Sequence, residues 1–266
     1  MTEIKNHTFV LCAYKESQFL EECVQSLLAQ TVKSKILIST STPNEHIKGI
    51  AEKYNLPLYI NTGEAGITGD WNFAVSCADT KYITIAHQDD VYDPPYAETL
   101  LSKMEKDKNP IIAFSEYFEI RNGKRVYKNK LLRIKRFMNI PLIFSRRSKF
   151  VRRRVLALGD PICCPAVTFS DEALKDFKFD KQFKFTCDWD AWERLSKKKG
   201  SFIYVRKPLM GHRIHEESET TNLTQNGVRA TEELMMLKRF WPTWIAKIIA
   251  KPYAKGADSN DLSKEK

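Results

Sequence analysis

Residues 8–30 read TFVLCAYKESQFLEECVQSLLAQ, an apolar run followed directly by a helical pattern. The run TFVLCA predicts a strand buried on both faces, because such strands read as short continuous apolar segments. In the second part, Leu20, Val24, Leu27 and Leu28 recur at helical spacing and would lie on one face. The stretch therefore predicts a strand, a turn at AYKES and a helix.

The alternation of strand and helix continues over the first hundred residues. The runs KILIST, LYIN and YITIAH predict three further strands, and HIKGIAEKYN and DWNFAVSCA predict the helices between them. Alternation at this spacing is typical of βαβ units and a mainly parallel sheet. Because such sheets bind ligands at the carboxyl ends of their strands, we expect one edge to carry residues 14–16, 39–42, 61–69 and 87–90.

The remaining chain continues with PPYAETLLSKMEKD and FKFTCDWDAWERLSKKKG as helices, and with PIIAFSEYFEI and SFIYVRKPLMGHRI as strands. A last helical pattern is interrupted at Pro242. We expect one domain over residues 1–225, a C-terminal helical extension at 226–254 and a disordered tail at 255–266. Within the domain we distinguish a nucleotide-binding half at 1–120, a basic segment at 121–154 and an acceptor-side half at 155–225.

The positive charge of the chain is concentrated in the basic segment. The formal net charge is +10, and residues 121–154 contain fourteen Lys or Arg but no Asp or Glu. Such a block is either solvated surface or a face for phosphates, whether of nucleic acid or of anionic lipid. Because apolar residues are interleaved with the charges, the pattern favours an interfacial amphipathic element over a disordered tail.

The expected compartment is the cytoplasm. The start MTEIKNHTFV lacks the layout of a secretory signal, and no stretch approaches the roughly 18 apolar residues that span a bilayer. The six cysteines include no CxxC pair, which favours reduced thiols. We therefore expect a soluble protein, or one held peripherally at the inner face of the cell membrane.

An acidic pair follows the fourth predicted strand, in AHQDDVYDPP at residues 86–95. Aspartates in this position can form a turn or cap a helix. The ligand edge of the sheet favours a functional interpretation, since Asp89 and Asp90 would offer hard oxygen ligands for Mg²⁺ or Mn²⁺ bridging a diphosphate. Asp93 is expected to begin the helix at Pro94.

Two later motifs also carry polar groups with a chemical use. In CDWDAWERL, the acids are either N-terminal helix charges or, for Asp188, a general base that opens the helix toward a cleft. In GHRIHEES, Arg213 and His215 are either surface residues or groups close to a phosphate or metal, because Arg offers a bidentate fork and His a switchable donor.

Taken in order, these segments resemble the family 2 glycosyltransferases of the GT-A fold, which are nucleotide-sugar-dependent and inverting. FVLCAYKESQFLEECVQSLLAQT is similar to the family's opening strand, turn and helix, and NTGEAGITGDWNFA to its Gly-rich loop and following helix. IAHQDDVYDP resembles the metal-binding DxD segment, and TCDWDAWERL the later motif that supplies the base. The resemblance covers about residues 7–220, and the ordered set is more specific than any single motif.

The resemblance implies an α/β protein with a GT-A, Rossmann-like, mixed and mainly parallel sheet flanked by helices, with a basic insertion and a C-terminal helical extension. It implies a glycosyltransferase of the hexosyltransferase type that uses Mn²⁺ or Mg²⁺, with Asp188 as the catalytic base and Asp89 and Asp90 as metal ligands. The donor-binding residues that it implies are Ala13, Tyr14, Glu16, Thr40, Gly66, Asn72, His87, Asp89, Arg213 and His215.

The implied reaction moves a sugar from a nucleotide-sugar donor to a hydroxyl of a glycan or of a lipid-pyrophosphate-linked saccharide, in the synthesis of cell-surface polysaccharide. Two positions depart from the family pattern. His87 stands where the family has an acid, and Thr40 stands where acids commonly read the base. The nucleotide is therefore open between UDP, dTDP and GDP.

The basic segment suggests two further partners. It could hold the enzyme at an anionic membrane surface, with apolar insertion by residues 241–253, whose plainer interpretation is core packing or a homodimer through the C-terminal helices. A nucleic-acid-binding protein is the alternative from another class, although no nucleic-acid motif accompanies the charges. A nicotinamide-binding oxidoreductase is disfavoured because no GxGxxG follows the first strand.

Overall fold

The computed structural model describes residues 4–215 and 227–256, and in this part of the chain nine strands form one sheet. The strands are β1 Ile4–Ala13, β2 Lys33–Thr40, β3 Leu58–Ile60, β4 Tyr82–His87, β5 Val91–Tyr92, β6 Pro110–Arg121, β7 Lys124–Val126, β8 Val167–Ser170 and β9 Ser201–Ile214. The helices are α1 Leu20–Leu28, α2 Glu45–Lys53, α3 Ile67–Ser76, α4 Tyr96–Glu105, α5 Lys130–Asn139, α6 Pro141–Ser145, α7 Lys149–Val155, α8 Asp171–Leu174, α9 Cys187–Ser196, α10 Val228–Lys238 and α11 Thr243–Gly256.

The strand order is β3-β2-β1-β4-β8-β6-β9-β5, with β7 paired to β6. The first four strands of this order are parallel, β8 runs antiparallel to both of its neighbours, and β6 and β9 are parallel over their length. This mixed, mainly parallel sheet confirms the predicted α/β class. In the register, Ala13 lies opposite Thr40 and Cys12 opposite His87, so these strands end at one edge.

The opening strand is buried on both faces, as its continuous apolar run predicts. Phe9 and Leu11 belong to the core under α1, α2 and α4, whereas Val10 belongs to the core on the other side. That second core contains Trp71 of α3 and Trp192 of α9, and it extends to α10 and α11. Because β1 is fixed between two cores, the turn that follows it has a rigid support.

The basic segment folds into β7 and helices α5 to α7, and acids from elsewhere in the chain pair with much of its charge. Arg125 pairs with Asp93, Arg136 with Glu116, Arg146 and Arg147 with Asp107, and Arg153 with Glu193. Arg152 is fully buried and donates to three carbonyls at the end of α9 and just beyond it. The charge run therefore serves in part as an internal ion-pair scaffold.

The predicted break at Pro242 separates α10 from α11. Met236, Leu237 and Ala246 are fully buried against the rest of the protein, so part of this extension packs on the core. The predicted halves 1–120 and 155–225 contribute strands to the same sheet, and their division stays a prediction. Most of the predicted tail, and the polar stretch at 216–226, lie outside the described residues. None of the described helices is long and apolar enough to cross a bilayer.

Candidate active site at the carboxyl edge of the sheet

The turn after β1 is tied to the turn after β4. The Tyr14 N–H donates to Oε1 of Gln88 at 2.9 Å, and Gln88 Nε2 donates back to the Tyr14 carbonyl at 3.0 Å. Lys15 has a φ of +53°, and its N–H donates to Oγ1 of Thr42 at 2.6 Å, which adds the loop after β2. The structure thus brings Ala13 and Tyr14 beside the HQDD segment, and it leaves Glu16 exposed on the same turn.

The ends of β2 and β3 meet at an aspartate that the sequence prediction missed. Asp70, in the first turn of α3, accepts from Ser41 Oγ at 2.9 Å and from Asn61 Nδ2 at 2.8 Å. The buried hydroxyl of Thr40 accepts from the N–H of Thr42 at 3.0 Å and so closes the turn after β2. An acid in the first helical turn after a Gly-rich loop is the signal that could have indicated Asp70.

The Gly-rich loop sets the start of α3. Gly66 has a φ of +100°, a left-handed conformation that favours glycine. A Cβ on Gly69 would lie 2.2 Å from the Glu64 carbonyl oxygen, so only glycine fits at position 69 without a shift of the loop. Asn72 Nδ2 donates to the Phe179 carbonyl at 3.0 Å, and Asn72 Oδ1 accepts from the Phe179 N–H at 2.8 Å. The structure therefore places Asn72 as a tie between α3 and the chain after α8.

Three side chains at the end of β4 form a candidate metal centre. One ligand atom from each of His87, Asp89 and Asp90 lies within 4.8 Å of the others. The His87 ring stacks on Trp71, with ring centroids 5.4 Å apart. His87 Nε2 and Asp90 Oδ2 are both buried and have no hydrogen-bond partner among the described residues.

Leaving a buried polar atom unpartnered costs about 1–3 kcal/mol, and more when the group is charged. A divalent cation would satisfy the unpartnered atoms of His87 and Asp90, so the donor set fits a metal ion. The sequence assigned this role to Asp89 and Asp90. The structure adds the nitrogen of His87, at the position where the family pattern has an acid.

The end of β9 braces the acidic pair. The Arg213 N–H donates to Asp90 Oδ1 at 3.0 Å, and His212 Nδ1 lies 3.2 Å from the same oxygen. His215 Nε2 lies 3.0 Å from Asp89 Oδ2. The structure therefore brings Arg213 and His215 to the acidic pair, although they are far from it in sequence.

The Arg213 guanidinium is itself held in place. Its Nε donates to the Asp89 carbonyl at 2.8 Å, and Nη2 pairs with Glu22 at 2.5 Å. The guanidinium also lies 4.3 Å from the centroid of the Phe19 ring. These contacts hold the Asp89 turn from the side of α1. They also place the largely buried positive charge of Arg213 beside that turn.

The surroundings of Asp89 favour its ionised form. Burial alone would raise the pKa of Asp89, but the hydrogen bond from His215 and the neighbouring histidines outweigh burial and lower it. Burial likewise works against the charged form of His212, yet the Asp90 carboxylate raises the pKa of that ring. The pair is thus suited to hold positive charge.

The predicted base lies in a different environment. Asp188 stands in the first turn of α9, where its Oδ1 accepts from the Trp189 N–H at 2.8 Å. Burial raises the pKa of Asp188 and also that of Asp160, which the Asp188 charge raises further. Lys135 of α5 opposes both shifts with its positive charge. The sequence prediction missed Asp160 and Lys135.

The two acidic groups share one electrostatic neighbour. Burial raises the pKa of the Cys163 thiol well above its usual range, and the charges of Asp90, Asp188 and Asp160 raise it further. The metal candidate at β4 and Asp188 at the start of α9 thus both act on the segment before β8. A cation site beside a candidate base suits the transfer of a group that leaves as an anion.

Comparisons with known proteins agree with this arrangement. The model of the family described as Glycosyl transferase family 2 matches residues 8–177, more than half of the chain. An uncharacterized glycosyltransferase of Rickettsia prowazekii is 25% identical over 85% of this chain and 69% of its own length. The minor teichoic acid biosynthesis protein GgaB of Bacillus subtilis is 23% identical over 81% of this chain, which corresponds to 24% of that protein.

Solved structures show the same fold at low identity. Residues 1–349 of S. aureus TarS, in complex with UDP-GlcNAc, match with a TM-score of 0.64 and 12% identity, over 96% of this chain and 73% of that one. The mannosyltransferase PcManGT of Pyrobaculum calidifontis, in complex with GDP-Man and Mn²⁺, matches with a TM-score of 0.65 and 15% identity, over 98% of this chain and 76% of that one. At these identities the likeness concerns the fold.

Proposed function

Because this chain belongs to glycosyltransferase family 2 and has the GT-A fold, we propose that it transfers a sugar from a nucleotide-sugar donor to an acceptor hydroxyl with inversion. The observation that carries the proposal is the group His87, Asp89 and Asp90 at the end of β4, with two buried and unpartnered ligand atoms. This group lies where ligands bind in open α/β sheets.

The donor's diphosphate would lie beside this group. Bound there, Mn²⁺ or Mg²⁺ would neutralise the negative charge that develops on the departing nucleoside diphosphate. Asp89 and Asp90 supply carboxylate ligands and His87 a nitrogen ligand, while Arg213 and His215 hold Asp89 in place. An imidazole ligand favours Mn²⁺ over Mg²⁺, because Mg²⁺ strongly prefers oxygen.

The nucleotide would lie along the turns after β1, β2 and β3. Tyr14 and Glu16 are exposed there, and Asp70 links the loops after β2 and β3. Two neighbours of this fold are complexed with different nucleotides, UDP-GlcNAc in TarS and GDP-Man in PcManGT. The donors to test are therefore UDP-, dTDP- and GDP-sugars.

Asp188 would accept the proton of the acceptor hydroxyl as that oxygen attacks the anomeric carbon. Burial raises its pKa, which makes it a stronger base than an exposed aspartate. The hydroxyl O–H bond breaks as the Asp188 O–H bond forms, and the bond between the anomeric carbon and the diphosphate breaks as the new glycosidic bond forms. A single displacement of this kind inverts the anomeric configuration.

The donor experiment tests the proposal directly. Thermal shift with UDP-, dTDP- and GDP-sugars, each with and without Mn²⁺, should single out one nucleotide whose stabilisation depends on the metal, because a ligand that binds only the folded state raises its stability. NMR of the product formed from that donor should show the inverted anomer. Absence of stabilisation by every nucleotide, or a retained anomer, would contradict the proposal.

The acceptor is proposed to be a lipid-pyrophosphate-linked saccharide at an anionic membrane surface. Phe137, Phe144 and Phe150 on α5, α6 and α7 are 73%, 83% and 68% exposed. Arg154 lies 5.3 Å from the ring centroid of Phe150 and 5.5 Å from that of Trp241, so these residues connect α7 with the C-terminal extension. We call this surface the aromatic face.

Charge supports the same surface. Four exposed cations on α5 and α7 or just before α5 have no carboxylate partner among the residues that the structure describes, namely Lys128, Lys130, Arg133 and Lys149. Exposed aromatic side chains with cations around them are typical of protein surfaces at anionic bilayers. The similarity to a teichoic acid biosynthesis protein supports a role in cell-surface polysaccharide synthesis.

Flotation with anionic vesicles tests the aromatic face. Phe144→Ser should reduce the bound fraction, because it removes an exposed apolar group, whereas Tyr59→Ser on the sheet edge, 41% exposed in the native chain, should leave it unchanged. Light scattering would report a homodimer through α11, where Trp244 is 66% exposed. Salt-sensitive binding to DNA without vesicle binding would favour the nucleic-acid alternative instead.

A further inference from the structure

Glu232 is a buried acid of the C-terminal extension for which the proposed reaction has no use so far. It belongs to α10, is 6% exposed and reaches the chain just before α9. Its Oε1 accepts from the Lys184 N–H at 2.9 Å. Its Oε2 accepts from the N–H groups of Phe185 and Thr186, each at 2.9 Å, and from the Thr186 hydroxyl at 3.2 Å. One carboxylate thus holds three consecutive N–H groups at the entry of the helix that carries Asp188.

The chain that enters α9 is fixed by this carboxylate rather than by a local cap. A threonine before a helix usually accepts from an N–H of the first turn, but Thr186 makes no such bond, and its hydroxyl donates to Glu232 instead. The Thr186 carbonyl accepts from the Asp190 N–H at 2.9 Å, so the helical bonds begin at this residue. Hydrogen bonds to an ionised acceptor are about twice as strong as those between neutral groups, and the dipole of α9 favours an anion at its start.

A second charge of the extension holds α9 one turn further on. Arg239, directly after α10, donates from Nη1 to Oδ1 of the fully buried Asp190 at 2.6 Å. Glu232, Met236 and Arg239 recur at helical spacing, so they lie on one face of α10. Met236 on this face is fully buried. The extension therefore contacts the chain both before and after Asp188.

Resting on the proposed function, we propose that Glu232 is a positioning residue that sets the orientation of Asp188 by fixing the entry of α9. Asp188 is the second residue of that helix and follows Thr186 by two positions. A shift of the entry therefore moves the carboxyl of the proposed base, whereas the group at the end of β4 belongs to another element. Glu232 lies outside residues 8–177, which the family model matches, so the extension forms part of the catalytic unit of this chain.

Substitutions at Glu232 and at its neighbour test this role. Glu233 is also 6% exposed but pairs with Arg229 of its own helix at 2.9 Å, so Glu233→Gln is the matched control and should keep native kcat. Glu232→Gln keeps the shape but turns an NH₂ group toward an N–H donor, and kcat should fall several-fold. Glu232→Ala removes the acceptor altogether, and kcat should fall by about 10- to 100-fold, the range expected when a reacting group is displaced by up to about 1 Å.

A split between kcat and binding separates positioning from a general loss of folding. The KM for the donor and the Mn²⁺ affinity should keep their native values in both Glu232 variants, and rates are normalised to the folded fraction at the assay temperature. Native kcat in folded Glu232→Ala, an equal loss in Glu233→Gln, or a parallel loss of donor affinity would each overturn the proposal. If Glu232→Ala does not fold, native kcat in Glu232→Gln overturns it.

Hydrogen exchange makes the test independent of sugar transfer. The N–H groups of Lys184, Phe185 and Thr186 should exchange slowly in the native protein and in Glu233→Gln, and faster in Glu232→Gln, while β1 stays protected in all three. If this pattern is found and no donor supports transfer by the native protein, the proposed function is wrong and the role of Glu232 in fixing α9 stands. If the three groups exchange equally in Glu232→Gln and the native protein, the positioning proposal is wrong.

Discussion

Two pairs of aspartates stand near each other in this protein, and their surroundings give them opposite properties. Asp89 and Asp90 are surrounded by histidines and Arg213, and the pKa of Asp89 is lowered. Asp160 and Asp188 act on each other electrostatically, and burial raises the pKa values of both. The same side chain thus has a lowered pKa at Asp89 and a raised pKa at Asp160 and Asp188.

The two pairs of aspartates are positioned by different parts of the fold. The first pair is contiguous in the chain and ends a parallel strand, where side chains of β9 approach it. The second pair joins the first turn of α9 to a loop before β8, with Lys135 of the basic segment beside it. Substitutions in each pair should therefore change different steps.

The largest effect is expected from removal of the proposed base. Asp188→Asn should lower kcat by about 10²–10⁴-fold, since general base catalysis contributes that much, while the dissociation constant of the donor stays the same. Asp176→Asn, at an exposed position between α8 and α9, is the matched control and should keep native turnover. Turnover near the native rate in Asp188→Asn would show that the raised-pKa pair does not supply the base.

The second effect should appear in metal binding. Asp90→Asn should weaken Mn²⁺ binding by at least about tenfold, because even groups that only orient ligands contribute that much to metal affinity. Asp93→Asn, three residues along, removes an acid that pairs with Arg125 and should leave Mn²⁺ binding unchanged. Loss of the Mn²⁺ EPR signal on titration with protein measures the Mn²⁺ affinity of both variants. Equal Mn²⁺ affinity in the Asp90 variant and the native protein would place the metal elsewhere.

The sequence singled out both residues of the first pair and one of the second, for a physical reason, and their roles stay predictions. Asp89 and Asp90 follow a run of buried strand residues, so their place at the ligand edge follows from the strand alone. Asp188 is recognisable at a helix start, but Asp160 lies in a short loop whose position depends on how α7 and β8 pack. No periodic pattern in the neighbouring sequence predicts the position of such a loop.

The basic segment shows the same limit. Its charge count predicted an interfacial element, but Asp107 and Glu193, which pair with Arg146 and Arg153, come from outside the segment. A count over one stretch of chain does not include the acids that fold against it. The strands β1 and β4 were predicted well because a continuous apolar run in the sequence directly indicates a strand buried on both faces.

The third prediction concerns pH. A base must be ionised to accept a proton, so kcat at saturating donor and Mn²⁺ should fall as pH drops through the raised pKa of Asp188. That fall should begin above the range of an ordinary aspartate, whose pKa is about 3.9, and become tenfold per pH unit at lower pH. A rate that stays constant down to that ordinary range would show that the pKa of Asp188 is not raised during turnover, or that Asp188 is not the base.

The smallest effect should come from the residue that distinguishes the metal pair from the family pattern. His87→Asp introduces an acid at this position and replaces the proposed nitrogen ligand by an oxygen, which suits Mg²⁺ better. Competition between Mg²⁺ and Mn²⁺, followed by the Mn²⁺ EPR signal, should show the preference for Mn²⁺ reduced several-fold. His46→Asp on α2 is the matched control, because it makes the same exchange away from β4. If the His87 variant keeps the native preference, His87 does not bind the metal, and its unpartnered Nε2 must serve the donor instead.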